Sequence, residues 1–218
     1  GRRRVPDFRY DAVDITDKET FELLNRGDTM GVFQLESGGM VDTCRRYGID
    51  NIEDIIALLA LYRPGAMQFM DDMIAVKKGL KQAEYEHPLL ETVSGLTYGV
   101  MIYQEQVQAA AKLLAGYTLG GADLLRRAMG HKDMQEMAEQ RRRFVKGCWD
   151  VNQIDEKTAN KIFDEMTDFA KYAFNKSHAA CYAVVSYQTA FLKYYYPVEF
   201  MAALLTSVIE NPTKISEY

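Results

Sequence analysis

The stretch from Phe174 to Pro197, FNKSHAACYAVVSYQTAFLKYYYP, constrains the fold of this chain most. It predicts a long helix over Ser177 to Tyr195, with Ser177 as the N-cap. The first backbone N–H groups of a helix have no internal partner, and the helix dipole is positive at that end. A helix start is therefore suited to an anion, and Asn175 and Lys176 stand where they would add side-chain donors.

Two rings on this predicted helix are four residues apart, which is the spacing of neighbours on one helical face. They belong to His178 and Tyr182. Two interpretations remain open, because an aromatic ring beside an anion site suits a nucleotide, while the same pair also suits packing in a semi-buried core.

Helical periodicity recurs along most of the chain, so we expect a mainly α fold with several helices. Two short segments, GVFQL (31–35) and GVMIY (99–103), are expected to pair as a minor two-stranded β element. The predicted helices include FELLNR, MVDTCRRY, IEDIIALLALY and EQVQAAAKLLAGY, and segments near 70–78, 122–129, 133–149, 155–169 and 198–209.

The charge is uneven along the chain. The formal net charge of -5 argues against an indiscriminate nucleic-acid binder, since such proteins carry a broad positive surface. Between Arg126 and Lys146, however, seven basic and three acidic side chains give a local charge of +4. Any contact with an anionic partner is therefore expected to be local.

The three cysteines are odd in number and lack the spacing of a zinc site or a disulfide framework, which favours a reducing cytoplasm. No apolar run reaches the length of a membrane span, so we expect a soluble, cytoplasmic protein without a membrane partner. The sequence opens with Gly1 rather than Met, which suggests a piece of a longer polypeptide.

Five blocks of sequence, read together, resemble one protein family. The chain is similar to the fingers domain of bacterial DNA polymerase III alpha subunits, the DnaE-type replicases of polymerase family C. The similarity spans about Thr16 to Leu205, with the blocks in that family's order. They are GDTMGVFQLESGGM, LYRPGAM, YGVMIYQEQV, LGGADLLRRAMGHK and the stretch from Phe174 to Pro197.

The resemblance implies a domain organisation and an activity. Residues 1–15 would link to a preceding palm domain, 16–210 would form the fingers domain with a boundary between lobes near 84–94, and 211–218 would be a tail. The longer protein would be a DNA-directed DNA polymerase active in DNA replication. Its partners would be dNTP, primer–template DNA and its own palm domain, with a sliding clamp bound through other regions.

Catalysis and metal binding are not expected within this chain. Nucleotidyl transfer needs carboxylates that converge on Mg²⁺, and the chain has no D-x-D triplet. The adjacent Asp71 and Asp72 would diverge by about 100° on a helix. In the resembled family the metal ligands lie in the palm, so the isolated chain is expected to be inactive and to hold no Mg²⁺.

The resemblance also implies the residues that contact nucleotide. Arg126 and Arg127 would face the triphosphate, since a guanidinium offers phosphate a planar fork of donors. The alternative for Arg127 is an ion pair with Asp123, four residues earlier. The remaining candidates would direct donors to the same anion or rings to the base or sugar, and they are Asn175, Lys176, Ser177, His178 and Tyr182.

Several other polar residues have no single predicted role. Arg63, in YRPG, is a candidate for contact with DNA or another domain, and His131 is close enough to Arg127 to join a phosphate site. The run Arg141, Arg142 and Arg143 fans over a wide helical arc, so a solvated face is the default and a template-backbone contact is the alternative. Roles for Gln34, Glu36, Gln104, Glu105 and Gln106 stay open.

The sequence is also compatible with two other classes of function. One is a stand-alone α-helical interaction module whose basic helix binds an acidic protein. The other is a small enzyme with His178 as general base and Ser177 or Cys181 as nucleophile, for which no third group that orients the histidine is evident.

Overall fold

The computed structural model describes residues 7–130 and 134–218, and these residues are mainly helical, as predicted. The α-helices are α1 (Lys18–Asn25), α2 (Gly38–Tyr47), α3 (Ile52–Leu61), α4 (Met70–Lys77), α5 (Glu91–Ser94), α6 (Gln104–Ala115), α7 (Leu119–Gly130), α8 (Met134–Asn152), α9 (Glu156–Ala170), α10 (Lys176–Tyr195), α11 (Pro197–Ser207) and α12 (Pro212–Glu217). Short 3₁₀ turns precede or follow several of them.

The predicted two-stranded β element is not found among the described residues, and GVFQL is a series of turns. Gly31 and Gln34 have φ angles of 75° and 63°, a left-handed conformation outside the range of a regular strand. The backbone N–H of Val32 instead donates to the carbonyl of Thr29 at 2.9 Å. In GVMIY, Tyr103 forms an isolated parallel bridge with Phe174 rather than a pair with GVFQL.

Contacts divide the chain into two compact units, which are residues 1–59 with 177–218, and residues 60–176. The chain passes between them within α3 and at the first residue of α10. The predicted domain limits, including the boundary near 84–94, stay predictions.

In the first unit, α10 packs against the start of α1. The rings of Tyr187 and Phe21 are 5.3 Å apart between centroids. The Tyr187 hydroxyl donates to the carbonyl of Asp14 at 2.6 Å and accepts from the backbone N–H of Asp17 at 3.1 Å. Because Asp17 also caps α1 by accepting from the N–H of Thr20, one buried tyrosine fixes the entry to that helix.

The second unit is a helical bundle in which α6 contacts α7, α8 and α9. Its core holds Phe144 and Phe163, fully buried with centroids 5.6 Å apart. The helices α6 and α8 approach closely because Gly147 has no side chain. A Cβ there would lie 2.3 Å from the carbonyl oxygen of Ala115. This packing sets α6 closely against α8, and α6 carries the polar residues described next.

Over the described ranges, no helix combines the length and apolar character that crossing a bilayer requires.

Candidate functional site

Two helix starts lie side by side in the second unit. The parallel bridge joins Tyr103 to Phe174, with the N–H of Gln104 donating to the carbonyl of Phe174 and the N–H of Phe174 donating to the carbonyl of Ile102, both at 2.9 Å. A helix follows each bridged residue, α6 directly at Gln104 and α10 after one intervening residue, at Lys176. Two positive helix ends are therefore adjacent.

A carboxylate occupies this position. Glu105, in the first turn of α6, accepts hydrogen bonds from the backbone N–H of Lys176 at 3.0 and 3.2 Å, one to each oxygen, and from Nδ2 of Asn175 at 2.8 Å. The negative group is thus stabilised by the dipoles of both helices. The anion position at this helix start is therefore filled by a carboxylate of the chain itself. The predicted nucleotide contacts of Asn175 and Lys176 stay predictions.

The prediction of Ser177 as the N-cap is wrong. The helix α10 begins one residue earlier, at Lys176, so Ser177 lies exposed in the first turn. Glu105 accepts the first N–H instead, and the sequence offers little signal for it because it lies 71 residues away.

Lys176 lines a cavity of about 290 Å³ next to this carboxylate. Its ammonium nitrogen is 5.3 Å from the centre of the Tyr103 ring, within the range of a cation–π contact. Thr92, Leu96 and Glu105 form other parts of the cavity wall.

The two predicted arginines share one carboxylate. Nε and Nη2 of Arg126 both donate to Oδ1 of Asp123 at 3.1 Å, and Nε of Arg127 lies 2.8 Å from Oδ2. The predicted alternative for Arg127 is thus confirmed, and Arg126 joins the same pair. The hydrogen bond from Arg126 is the main cause that lowers the pKa of Asp123, so this carboxylate is ionised at neutral pH.

Gln108 connects α6 to the carboxylate that the two arginines share. Nε2 of Gln108 donates to Oδ1 of Asp123 at 2.9 Å. Gln108 stands three residues after Glu105, a spacing that puts both side chains on the same side of the helix. The arginine pair is therefore held by Gln108 through Asp123, and the start of α10 is held by Glu105.

The rings of His178 and Tyr182 belong to the first unit and form the predicted pair, with centroids 4.4 Å apart. Tyr182 also contacts Phe33 at 5.2 Å. The Tyr182 residue is 38% exposed and His178 is exposed, so neither ring is a fully buried core side chain.

Arg63 is held inside the second unit. Its Nε donates to the carbonyl of Ala60 and its Nη2 to that of Tyr172, both at 2.8 Å, and its guanidinium lies 4.5 Å from the centre of the Phe174 ring. This arginine thus fixes the loop before α10, and its predicted contact with DNA or another domain stays a prediction.

The run of three arginines is not a uniform solvated face. Nη2 of Arg141 lies 2.5 Å from Oδ1 of Asp164, and its guanidinium stacks on Phe163. The guanidinium of Arg143 lies 4.5 Å from the centre of the Tyr117 ring.

Arg142 is exposed and forms no ion pair within residues 7–130 and 134–218. It is therefore the member of the run best placed to contact an external anion. The predicted contribution of His131 lies outside the described residues.

No group of His, Cys, Asp or Glu side chains in the described part of the chain is arranged to hold a metal ion. Asp71 and Asp72 are on the short helix α4, and Asp72 pairs with Lys81 at 3.1 Å.

In the second unit, α6 contacts Asp123 with its two arginines through Gln108, and the start of α10 through Glu105. Comparison with known proteins identifies the class of this chain. The family model described as the bacterial DNA polymerase III alpha subunit finger domain matches residues 2–152. The chain belongs to this family.

Its relatives include proteins named DNA polymerase III subunit alpha from several bacteria. The protein of Haemophilus influenzae is 53% identical over 98% of this chain, and that of Thermus aquaticus is 50% identical over 97%. A third, from Pseudomonas aeruginosa, is 50% identical over 99%. The chain spans only 18–19% of the length of these three relatives.

Proposed function

We propose that this chain is the fingers part of a longer bacterial replicative polymerase and binds the triphosphate of the incoming dNTP during template-directed DNA synthesis. Membership of the finger-domain family supports the polymerase assignment. It favours this assignment over the alternatives of a stand-alone interaction module or a small histidine-dependent enzyme.

The observation that carries the nucleotide-binding proposal is the attachment of both cationic groups to α6. The Arg126–Arg127 pair and the start of α10 at Lys176 are held by side chains three residues apart on that helix. A polyphosphate is a chain of anionic groups and can contact both sets of donors. The carboxylates of Asp123 and Glu105 mark positions where negative charge is stabilised.

Triphosphate binding would exchange these internal contacts for stronger ones. Arginine and phosphate form paired, charge-assisted hydrogen bonds, and a triphosphate carries more charge than one carboxylate. Asp123 would then share its arginines with the ligand. His178 and Tyr182 would contact the base or sugar through their faces, which discriminate little among bases.

The remaining parts of the reaction are proposed to lie elsewhere in the polypeptide. Carboxylates of the palm would hold the Mg²⁺ ions, so this chain by itself would bind without catalysing. Arg142 is the proposed contact of this chain with the DNA backbone, and the sliding clamp would bind other regions. The proposed location is the cytoplasm.

The test is Arg126→Ala in the full-length polymerase, measured by single-turnover primer extension over a range of dNTP concentration. Loss of charge-assisted hydrogen bonds to phosphate is expected to weaken dNTP binding by about 10-fold to 100-fold. Primer–template affinity, measured by fluorescence anisotropy, should stay within about twofold of wild type. Lys157→Ala, which removes an exposed cation of α9, is the control and should change neither quantity.

Equal loss of dNTP and DNA binding in Arg126→Ala would mean that the arginine holds DNA or the domain itself. Unchanged dNTP binding would refute the proposed site.

A further inference from the structure

We propose that Glu105 and Gln108 are positioning residues, which set the spacing between the two cationic groups and so fit the site to a triphosphate. This inference rests on the proposed function and deepens it. Neither residue is assigned a contact with nucleotide.

The helical geometry of α6 fixes how far apart the two positioning residues stand. A helix fixes the distance between side chains three residues apart to about 5–6 Å at their Cβ atoms, a distance that does not depend on flexible loops. Glu105 and Gln108 have this relation, and each makes a contact that crosses to another element. The packing of α6 against α8 at Gly147 keeps the helix itself in place.

Gln108 ties the arginine pair to α6 through Asp123. Two guanidinium groups beside each other repel, and Asp123 holds them together by accepting from both. Asp123 lies on the same helix as the arginines, so it cannot by itself fix their position relative to Lys176. The hydrogen bond from Gln108 to Asp123 provides that relation, because it ties the carboxylate to α6.

Glu105 ties Asn175 and Lys176 to α6. Its two oxygens together accept from the backbone and side chain of consecutive residues, Lys176 and Asn175. This arrangement fixes the backbone at Asn175 and Lys176, and with it the position from which the Lys176 side chain extends.

A consequence separates this role from simple stabilisation. In the proposed function a triphosphate contacts both cationic groups, whereas a deoxynucleoside monophosphate has one phosphate and would contact one of them. Disturbing the spacing should therefore weaken binding of the triphosphate and leave the monophosphate nearly unaffected. A general loss of folding would weaken both ligands.

The experiment uses Gln108→Leu, which removes the donor to Asp123 without changing charge, and Glu105→Asp, which keeps the charge but shortens the side chain by one methylene. In the full-length polymerase, the dNTP dissociation constant is measured by single-turnover extension, and the dNMP inhibition constant by competition. Both variants should bind dNTP about three to ten times more weakly, the range set by one hydrogen bond, with dNMP binding within about twofold.

Gln82→Leu is the matched control, since Gln82 is exposed and makes no hydrogen bond within the described residues. It should leave both constants unchanged. Wild-type dNTP binding in both test variants, or parallel loss of dNTP and dNMP binding, would overturn the inference. If instead Arg126→Ala leaves dNTP binding unchanged, the proposed function itself has failed.

Discussion

Glu165 is expected to contribute to the pH dependence of this chain's stability, and Glu165→Gln should remove that contribution. This side chain of α9 is half-buried, and one of its carboxylate oxygens is buried with no hydrogen-bond partner among the described residues. Burial, with a smaller contribution from the charge of Glu86, raises the pKa of Glu165 from 4.5 to about 7. The folded chain therefore keeps a proton that the unfolded chain releases.

The sign of the effect follows from this difference in bound protons. A carboxyl group whose pKa is higher in the folded state stabilises most below its unfolded pKa, and stability falls as the pH rises from about 4.5 to about 7. The full interval corresponds to at most about 3 kcal/mol. Because the group keeps part of its contact with solvent, we expect about 1–2 kcal/mol.

The assay is denaturant unfolding of the chain at pH 5 and pH 8. Relative to wild type, Glu165→Gln should gain about 1–2 kcal/mol of unfolding free energy on going from the lower to the higher pH. Glu139→Gln, at an exposed position of α8, is the control and should show no such gain. A gain below about 0.5 kcal/mol, or one of opposite sign, would refute the assignment of a protonated Glu165 in the folded state.

Two further predictions concern packing and capping. Gly147→Ala should destabilise the chain by about 1–3 kcal/mol, because the added methyl group would collide with the backbone of Ala115. Gly120→Ala is the control and should not destabilise it, since nothing lies within 4 Å of a Cβ at that position. Equal thermal unfolding temperatures for the two variants would contradict this account. Asp155→Ala should lower the free energy of unfolding by about 1 kcal/mol in denaturant unfolding, since it removes the N-cap that accepts from the backbone N–H of Thr158 at 3.0 Å. Asp155→Asn keeps an acceptor and should lose less stability. Equal stabilities for the two variants would count against the cap.

Most helices of this protein could be predicted from its sequence. The predicted helix over 155–169 corresponds to Glu156–Ala170, and the one over 177–195 to Lys176–Tyr195. Helical hydrogen bonds join residues four apart, so the information needed to place them is local. The ring pair of His178 and Tyr182 follows for the same reason.

The strand prediction failed where the information was not local. GVFQL has a pattern that suits a strand, but a strand also needs a partner, and the left-handed conformation of Gln34 rules it out. The partner of Tyr103 proved to be Phe174, far along the chain. No property of GVMIY alone indicates that choice.

For the candidate site, the sequence by itself determined which side chains carry the positive charge and which family the motifs resemble. Only the tertiary structure decided what those cations contact. Glu105 reaches Asn175 across 70 positions, and Gln108 reaches Asp123 on another helix. The physical reason is that a polar side chain is held where folding brings a hydrogen-bond partner to it. That place depends on the packing of α6 rather than on the residues next to it in sequence.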